Sequence, residues 1–183
     1  ASSMPANFGL APSEAAAALP PAAGLAAVVS GSCSVATQGQ VRAFRDAGRP
    51  ALALDPLAVA DDPQSVQRTL DWAVPHLKDG PVLVYSTAEP AVVRAVADRL
   101  GTEAAGTLME RTLAAVARGL VQAGVRRLVV AGGETSGACV QALGIAQLQI
   151  GAQIDPGVPW CHARAGDAPL HIALKSGNFG GRD

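Results

Sequence analysis

Apolar and polar residues alternate along this chain in segments that predict strands followed by helices. Short apolar runs bounded by turn residues predict buried strands, whereas apolar residues that recur every three or four positions predict helices. Met109, Leu113, Val116 and Leu120, for example, form one apolar stripe of a long predicted helix. The whole pattern predicts strands over 25–30, 51–54, 82–85 and 127–131, and helices over 35–47, 63–77, 89–100, 103–123 and 136–143.

The order of these elements predicts the fold class. Strands that alternate with helices form right-handed βαβ units, which build a parallel sheet with helices on both faces. After Gly144 the pattern changes to short strands over 148–154, 161–164 and 170–174, separated by turns. We therefore expect an α/β fold with a mostly parallel sheet, helices on both faces and a short antiparallel strand extension toward the C-terminus.

The first residues differ in composition from the rest of the chain. Residues 1–24 are rich in Ala, Pro and Ser, which predicts a linker or irregular leading segment with a short helix at 13–19. The remaining residues, 25–183, are numerous enough to bury one core. We expect them to form a single domain.

Charge and hydropathy exclude several classes of function. The formal net charge is −1, so the chain has no broad basic field for nucleic acid. No apolar run approaches the ~20 residues of a membrane span, and none follows a charged segment as in a signal peptide. Cys33, Cys139 and Cys161 have no CxxC spacing. We therefore expect no disulfide framework, no zinc site and a reduced, cytoplasmic location.

Two glycine-rich segments are the most informative candidates for a binding site. Residues 132–137 follow one predicted strand, and residues 175–181 follow the last one. Glycine lets the backbone approach a ligand closely, and a Gly/Ser/Thr-rich turn before a helix exposes N–H groups that bind anions, most often phosphate. The sequence therefore predicts two sides of one nucleotide pocket, although each segment also suits a plain tight turn.

Three side chains near these segments have more than one interpretation. Ser30 ends the first predicted strand, where ligands bind in doubly wound sheets, so its segment suits either phosphate and ribose or a helix cap. Lys175 either neutralises phosphate charge or forms a structural ion pair. Glu134 either binds Mg²⁺ through water, hydrogen-bonds a ribose or stabilises the helix dipole.

Standard fingerprints do not decide among these alternatives. Segment 132–137 matches neither GxxxxGK[ST] nor GxGxxG, so neither a Walker A loop nor a Rossmann fingerprint is present there. The histidines His76, His162 and His171 are isolated in the sequence. We interpret each as a surface or satisfied histidine and not as a metal ligand.

The motifs become specific when their order is considered. They occupy 30–34, 130–137, 154–160 and 173–180, and in this order they resemble the C-terminal nucleotide-binding domain of the four-carbon acid sugar kinases. That family phosphorylates tetronates and 3-oxo-tetronates with ATP. The resemblance implies that Mg²⁺ bridges the ATP phosphates, with no residue here assigned as a metal ligand. It also implies ATP contacts from Ser30, Gly132, Gly133, Glu134, Thr135, Gly177 and Gly180.

The resemblance further implies that this chain is half of an active site. The family has an N-terminal domain that supplies much of the acid-sugar site, and the present chain lacks it. We expect the isolated chain to bind ATP but to have little or no kinase activity. We expect the small-molecule substrate to bind through the missing domain, and a homo-oligomer is possible. Two alternatives remain: an interaction or regulatory domain that keeps the fold, and a different α/β sugar-phosphate enzyme.

Overall fold

The computed structural model describes residues 18–86 and 90–181 of the 183-residue chain. In this part of the chain the strands are β1 (Leu25–Ser30), β2 (Ala51–Ala53), β3 (Val82–Tyr85), β4 (Val125–Ala131), β5 (Gln149–Asp155), β6 (Val158–Ala165) and β7 (Ala168–Lys175). The helices are α1 (Val35–Asp46), α2 (Pro56–Asp61), α3 (Ser65–His76), α4 (Pro90–Leu100), α5 (Thr102–Gln122) and α6 (Gly133–Ala142).

The strands form one sheet in the order β2-β3-β1-β4-β7-β6-β5. Strands β2, β3, β1, β4 and β7 run parallel, whereas β6 runs antiparallel to both β7 and β5. This topology confirms the predicted α/β fold with a mostly parallel sheet and an antiparallel C-terminal extension. After β1 the chain builds β2 and β3 on one side of β1, and it then crosses to build β4 on the other side of β1. Open α/β sheets bind ligands at such a switch point, here outside the carboxyl ends of β1 and β4.

Helices cover the two faces of the sheet unequally. The predicted stripe of α5 is buried, and Leu113, Val116 and Leu120 are fully enclosed in the main core with residues of α3, α6 and the central strands. On the opposite face, Val41 of α1 packs against Leu83 in a much smaller cluster. The larger core holds β1, β4 and α6 in place, and these are the elements that meet at the switch point.

Several predicted boundaries differ from the observed ones. Helix α2 (Pro56–Asp61) was not predicted, because six residues are too few to show a helical period. The Asp55 side chain caps it by accepting from the Leu57 N–H at 3.0 Å. Strand β4 begins at Val125, two residues before the prediction, because Arg126 and Arg127 interrupt the apolar run while Val125 itself is buried.

Two tight hairpins build the antiparallel extension. Pro156 and Gly157 connect β5 to β6, and the φ of +78° at Gly157 explains why glycine follows proline there. Gly166 and Asp167 connect β6 to β7. Both turns lie where the sequence predicted them, so their residues specify the register of these strands.

Residues 18–24 have no helix or strand, but they lie against the sheet. The Pro20 carbonyl is 2.8 Å from His171 Nε2, and the Ala18 carbonyl accepts from Gln149 Nε2 at 3.2 Å. The Leu19 side chain occupies the space over Gly151, where a Cβ would be 2.5 Å from Leu19 Cγ. Most of the helix predicted over 13–19 lies outside the described residues.

The remaining global predictions concern cysteines, metals and membranes. Cys139 and Cys161 are buried and Cys33 is exposed, and all three are free; burial raises the pKa of the Cys139 thiol to about 12. Within residues 18–86 and 90–181, no group of three or more His, Cys, Asp or Glu side chains is arranged to hold a metal ion. No helix in these two ranges has the length and apolar character needed to cross a membrane.

Candidate functional site

The carboxyl ends of the five parallel strands lie in one row. Cross-strand pairs join Ala53 to Tyr85, Tyr85 to Ser30, Ser30 to Ala131, and Ala131 to Lys175. Because these strands end at the same level, the segments that follow β1, β4 and β7 are neighbours. The structure therefore places both glycine-rich segments at one edge of the sheet.

Backbone hydrogen bonds connect these neighbouring segments. The N–H of Gly31, just after β1, donates to the Ala131 carbonyl at 2.9 Å. The N–H of Gly132, just after β4, donates to the Lys175 carbonyl at 2.8 Å. The parallel ladder thus continues one residue beyond the strands, which fixes the position of the three connections.

Two glycines allow the connections to pack closely. A Cβ on Gly31 would lie 2.2 Å from Thr135 Oγ1, and a Cβ on Gly177 would lie 2.6 Å from Ser32 Oγ. No side chain fits at either position unless its neighbour moves. Gly177 was among the predicted site residues, whereas Gly31 was not, because its contact with Thr135 crosses from one connection to another and leaves no mark on the local sequence.

The segment after β4 is mostly helix and not a turn. Gly132 (φ +122°) is the N-cap of α6, and the helix begins at Gly133, three residues before the predicted start at Ser136. No side chain caps the helix, and Thr135 and Ser136 are both buried in its first turn. Packing of α6 against α5 and the sheet outweighs the low helix propensity of the glycines.

The N-terminus of α6 faces open space. Gly133 is exposed, and a Cβ placed on it would have no atom within 4 Å. The first N–H groups of a helix have no partner within the helix and carry the positive end of its dipole. This end of α6 therefore presents backbone N–H donors at the switch point of the sheet.

A cavity of about 550 Å³ lies beside this helix end. This volume is within the usual range of pockets for small organic ligands. Gly31 and Cys33 line it on one side, and Glu134 and Thr135 line it on another. Helices α4 and α5 supply a mainly apolar wall, which includes Val96, Ala97, Ala105, Met109 and Leu113.

Two carboxylates meet inside this cavity. Burial, the negative charge of Glu134 and a hydrogen bond that protonated Glu110 donates to the Glu134 carboxylate together raise the pKa of Glu110. Glu134 was predicted as a site residue, but its partner was not. Glu110 lies on α5 beside the apolar stripe, and only the packing of α5 against α6 brings it to Glu134.

The carboxylate pair leads to a pH-dependent prediction. A raised folded-state pKa means that the folded protein binds the proton of Glu110 more tightly than the unfolded chain does. The resulting stabilisation is present below pH 4.5, the ordinary pKa of a glutamate, and is lost as the pH rises through the raised value. We expect Glu110→Gln to remove this loss, so that the variant gains stability over wild type as the pH rises. Thermal unfolding of both proteins at several acid pH values measures the difference. If the melting temperatures of wild type and Glu110→Gln change in parallel with pH, the pairing of Glu110 with Glu134 is contradicted.

The α1 face of the same edge has a second cavity, of about 330 Å³. Ser30, Lys175 and Gly180 line it together with Thr37 and Gln40. Ser30 and Lys175 are only 1% and 7% exposed. The structure therefore brings the predicted residues to one edge of the sheet but divides them between two faces, with Glu134 and Thr135 on the side of the larger cavity.

The ammonium group of Lys175 is surrounded by oxygens. Its Nζ lies 3.0 Å from Thr37 Oγ1, and 3.2, 3.0 and 3.0 Å from the carbonyl oxygens of Ser176, Gly177 and Phe179. Burial lowers the pKa of this lysine. Within the described ranges no carboxylate pairs with it, so the predicted structural ion pair does not occur there.

The segment after β7 is also held by its neighbours. The Gly177 carbonyl accepts from Ser34 Oγ and from Thr37 Oγ1, the latter at 2.9 Å. The Asp155 carboxylate accepts from the Gly181 N–H, and the Phe179 ring lies over the hairpin glycine Gly157. The turn near Asp155 thus supports this segment from β5, in addition to shaping the smaller cavity.

Ser136 is an exception in this well-bonded region. Its Oγ is buried and, among the described residues, has no hydrogen-bond partner. We expect Ser136→Ala to stabilise the domain by about 1 kcal/mol, because it removes an unsatisfied hydroxyl and favours the helix. Thermal and urea unfolding would measure the effect, and a loss of stability would mean that the hydroxyl has a partner.

Comparison with known proteins agrees with this geometry. The family model for the nucleotide-binding C-terminal domain matches residues 27–183. A 3-oxo-tetronate kinase of Burkholderia multivorans is 55% identical over 184 aligned residues, covering 98% of this chain and 42% of that protein. A 3-oxo-tetronate kinase of Pseudomonas fluorescens is 54% identical over 168 residues, covering 92% and 38%. The chain therefore spans about two fifths of the length of these curated relatives.

Solved structures share the fold over a similar part of their length. A Haemophilus influenzae protein matches with a TM-score of 0.82 and 37% identity, covering 90% of this chain and 40% of that one. A Bordetella bronchiseptica protein, crystallised as a domain-swapped dimer with bound citrate, matches with a TM-score of 0.66 and 26% identity, covering 88% and 37%. The sequence and structural matches together show that the chain belongs to the family of nucleotide-binding C-terminal domains and is a relative of 3-oxo-tetronate kinases.

Proposed function

We propose that this domain binds ATP and presents its phosphates for transfer to a four-carbon sugar acid. The observation that carries the proposal is the N-terminus of α6, which opens at the switch point of the sheet beside the 550 Å³ cavity. Helix N-termini at such positions are suited to phosphate groups. The kinase relatives make ATP the nucleotide of choice.

The phosphate-binding residues follow from the open helix end. The backbone N–H groups of Gly133, Glu134 and Thr135 lie in the first turn of α6 and would donate to phosphate oxygens. Gly132 makes this approach possible by starting the helix without a side chain. Because Gly133 leaves the space in front of the helix empty, a ligand can approach these donors closely.

Ser30, Gly177 and Gly180 would act from the neighbouring connections. Ser30 ends β1 beside Ala131, one residue before the α6 cap. Gly177 lies against the Ser32 side chain. Gly132 is also close to Ser32, because a Cβ added to Gly132 would lie 3.3 Å from the Ser32 backbone N. We infer that these residues complete the phosphate site through the β1–α1 connection, which lies between the two cavities.

Mg²⁺ would accompany the nucleotide. Magnesium is usually held by one or two carboxylates together with phosphate oxygens and water, and it neutralises the phosphate charge. Glu134 and its partner Glu110 offer carboxylate oxygens beside the proposed phosphate position. These two residues would therefore hold the ion against this domain, directly or through water.

Phosphoryl transfer would need a second domain. The relatives are more than twice as long as this chain. Phosphoryl transfer depends on positioning and charge stabilisation, so a domain that holds only the nucleotide would not catalyse it alone. We infer that residues 25–183 form the nucleotide-binding domain, that residues before 25 connect it to a substrate domain, and that the whole protein is a 3-oxo-tetronate or tetronate kinase. The dimeric relative makes a homo-oligomer compatible with this arrangement.

Titration calorimetry of the folded domain with MgATP tests the proposal. We expect weak saturable binding of ATP and much weaker binding of adenosine, because the phosphates contribute most of the contacts. The absence of heat at millimolar MgATP would contradict ATP binding and favour the interaction or regulatory domain. Robust phosphorylation of a tetronate by the isolated domain would contradict the proposed division of the active site.

A further inference from the structure

We propose that Lys175 is a positioning residue whose ammonium group organises the segment 176–181, here called the C-terminal loop, and does not contact phosphate itself. The inference rests on the proposed function, because the loop is taken to contribute to nucleotide binding. It concerns the one lysine of this chain that is buried. The alternative is that the lysine side chain supplies a positive charge directly to the phosphates.

The hydrogen-bonding capacity of Lys175 is already used. An ammonium group has three N–H donors. Four oxygens lie at 3.0–3.2 Å from Nζ, three of which are carbonyl oxygens of the C-terminal loop. A phosphate oxygen could bind Nζ only by displacing one of these four oxygens, and the displaced group would lose a hydrogen bond in a partly buried place.

These contacts determine the path of the loop. The carbonyls of Ser176, Gly177 and Phe179 all point inward toward one cation, which curls the backbone around it. The cation thereby orients the loop through its carbonyl groups.

Thr37 connects this arrangement to α1. Its hydroxyl oxygen accepts from Nζ at 3.0 Å and also lies 2.9 Å from the Gly177 carbonyl. Gln40, one turn later, donates to the Gly181 carbonyl at 2.6 Å. Lys175 therefore fixes the loop relative to α1 and to the β1–α1 connection, so that loop and connection keep one relative position.

The test compares the only two lysines of the chain, each replaced by methionine. Lys175→Met removes the ammonium while keeping most of the stem, and Lys78→Met makes the same change of net charge at an exposed position on another part of the molecule. Calorimetry measures affinity for MgATP and for adenosine at two salt concentrations. Hydrogen exchange measures the amides of the C-terminal loop in the absence of nucleotide.

We expect Lys175→Met to bind MgATP about tenfold or more weakly. Its adenosine affinity and the salt dependence of its ATP binding should equal those of wild type, and its loop amides should exchange faster. Lys78→Met should match wild type in ATP affinity, adenosine affinity, salt dependence and loop exchange. Thr37→Val, which loses one of the four oxygens around Nζ, should change loop exchange and ATP affinity in the same direction and serves where Lys175→Met does not fold.

Two results would overturn the inference. The first is unchanged loop exchange in both Lys175→Met and Thr37→Val. The second is a weaker salt dependence of ATP binding in Lys175→Met, which would mean that the lysine charge acts on the phosphates directly. If wild type binds no MgATP but Lys175→Met still loosens the loop, the ATP proposal fails while the organising role of Lys175 stands.

Discussion

Replacement of Gly31 by alanine is expected to destabilise the domain by about 1–3 kcal/mol, the usual range for a side chain that does not fit its space. The added methyl would lie 2.2 Å from Thr135 Oγ1 and 3.1 Å from Leu113 Cδ1. Neither neighbour can retreat easily, because Leu113 is fully buried and Thr135 is in the first turn of α6. The strain would therefore separate the β1–α1 connection from α6.

Urea unfolding of Gly31→Ala and Gly133→Ala gives a matched comparison. The same methyl group at Gly133 meets no atom within 4 Å and adds helix propensity, so that variant should be as stable as wild type or more so. Thr135→Ala removes the hydroxyl oxygen that lies nearest to the added methyl group. The double variant Gly31→Ala/Thr135→Ala should therefore recover much of the stability that Gly31→Ala loses, which is measured as a favourable coupling energy. Equal stability of the two glycine variants would contradict the close contact of the connections.

Much of the fold could be predicted from local pattern. Strands β1 and β3 lie at their predicted residues because their apolar runs end sharply at polar or glycine residues. The long helix α5 was also predicted to within one residue at each end, since its stripe repeats over several turns. The helical period identifies α5 because its buried residues follow that period, whereas β1 and β3 are identified as short continuous apolar runs.

The start of α6 could not be predicted in the same way. A Gly-Gly sequence has low helix propensity, so the local signal favoured a turn as far as Ser136. The observed helix begins at Gly133 because Thr135, Ser136 and Cys139 are buried against the rest of the molecule. Tertiary packing reversed the local preference, and it also replaced a predicted turn with a helix end.

The candidate site was predicted in position more than in detail. Ser30, Gly132 and Lys175 were predicted at the ends of strands, and the strand register places these ends side by side, while their contacts with a nucleotide stay a prediction. The partners of these residues depend on contacts between elements distant in sequence. Glu110 beside Glu134, and Thr37 beside Lys175, could not be inferred from spacing, because neither pair lies within one local motif.

Replacement of Gly133 by valine is expected to weaken MgATP binding by on the order of a hundredfold, or about 3 kcal/mol. Gly133 is exposed and has no positive φ, and a Cβ added to it meets no atom of another described element within 4 Å, so valine can be accommodated. Valine also has a higher helix propensity than glycine, and the fold should stay intact. Since no described residue occupies this space, we expect the side chain to exclude a ligand in front of the helix N-terminus, where phosphate would have to approach the backbone donors.

Gly137→Val is the control for this effect. Gly137 lies one turn further along the same helix, is also exposed and also has no atom within 4 Å of a Cβ. The two variants therefore make the same substitution in the same helix, and only Gly133 lies at the proposed phosphate position. Calorimetry should show a large loss of MgATP affinity for Gly133→Val and near wild-type affinity for Gly137→Val, with similar melting temperatures. Unchanged affinity of Gly133→Val would remove the α6 N-terminus from the nucleotide site, and equal losses in both variants would place the nucleotide along the helix side instead of at its end.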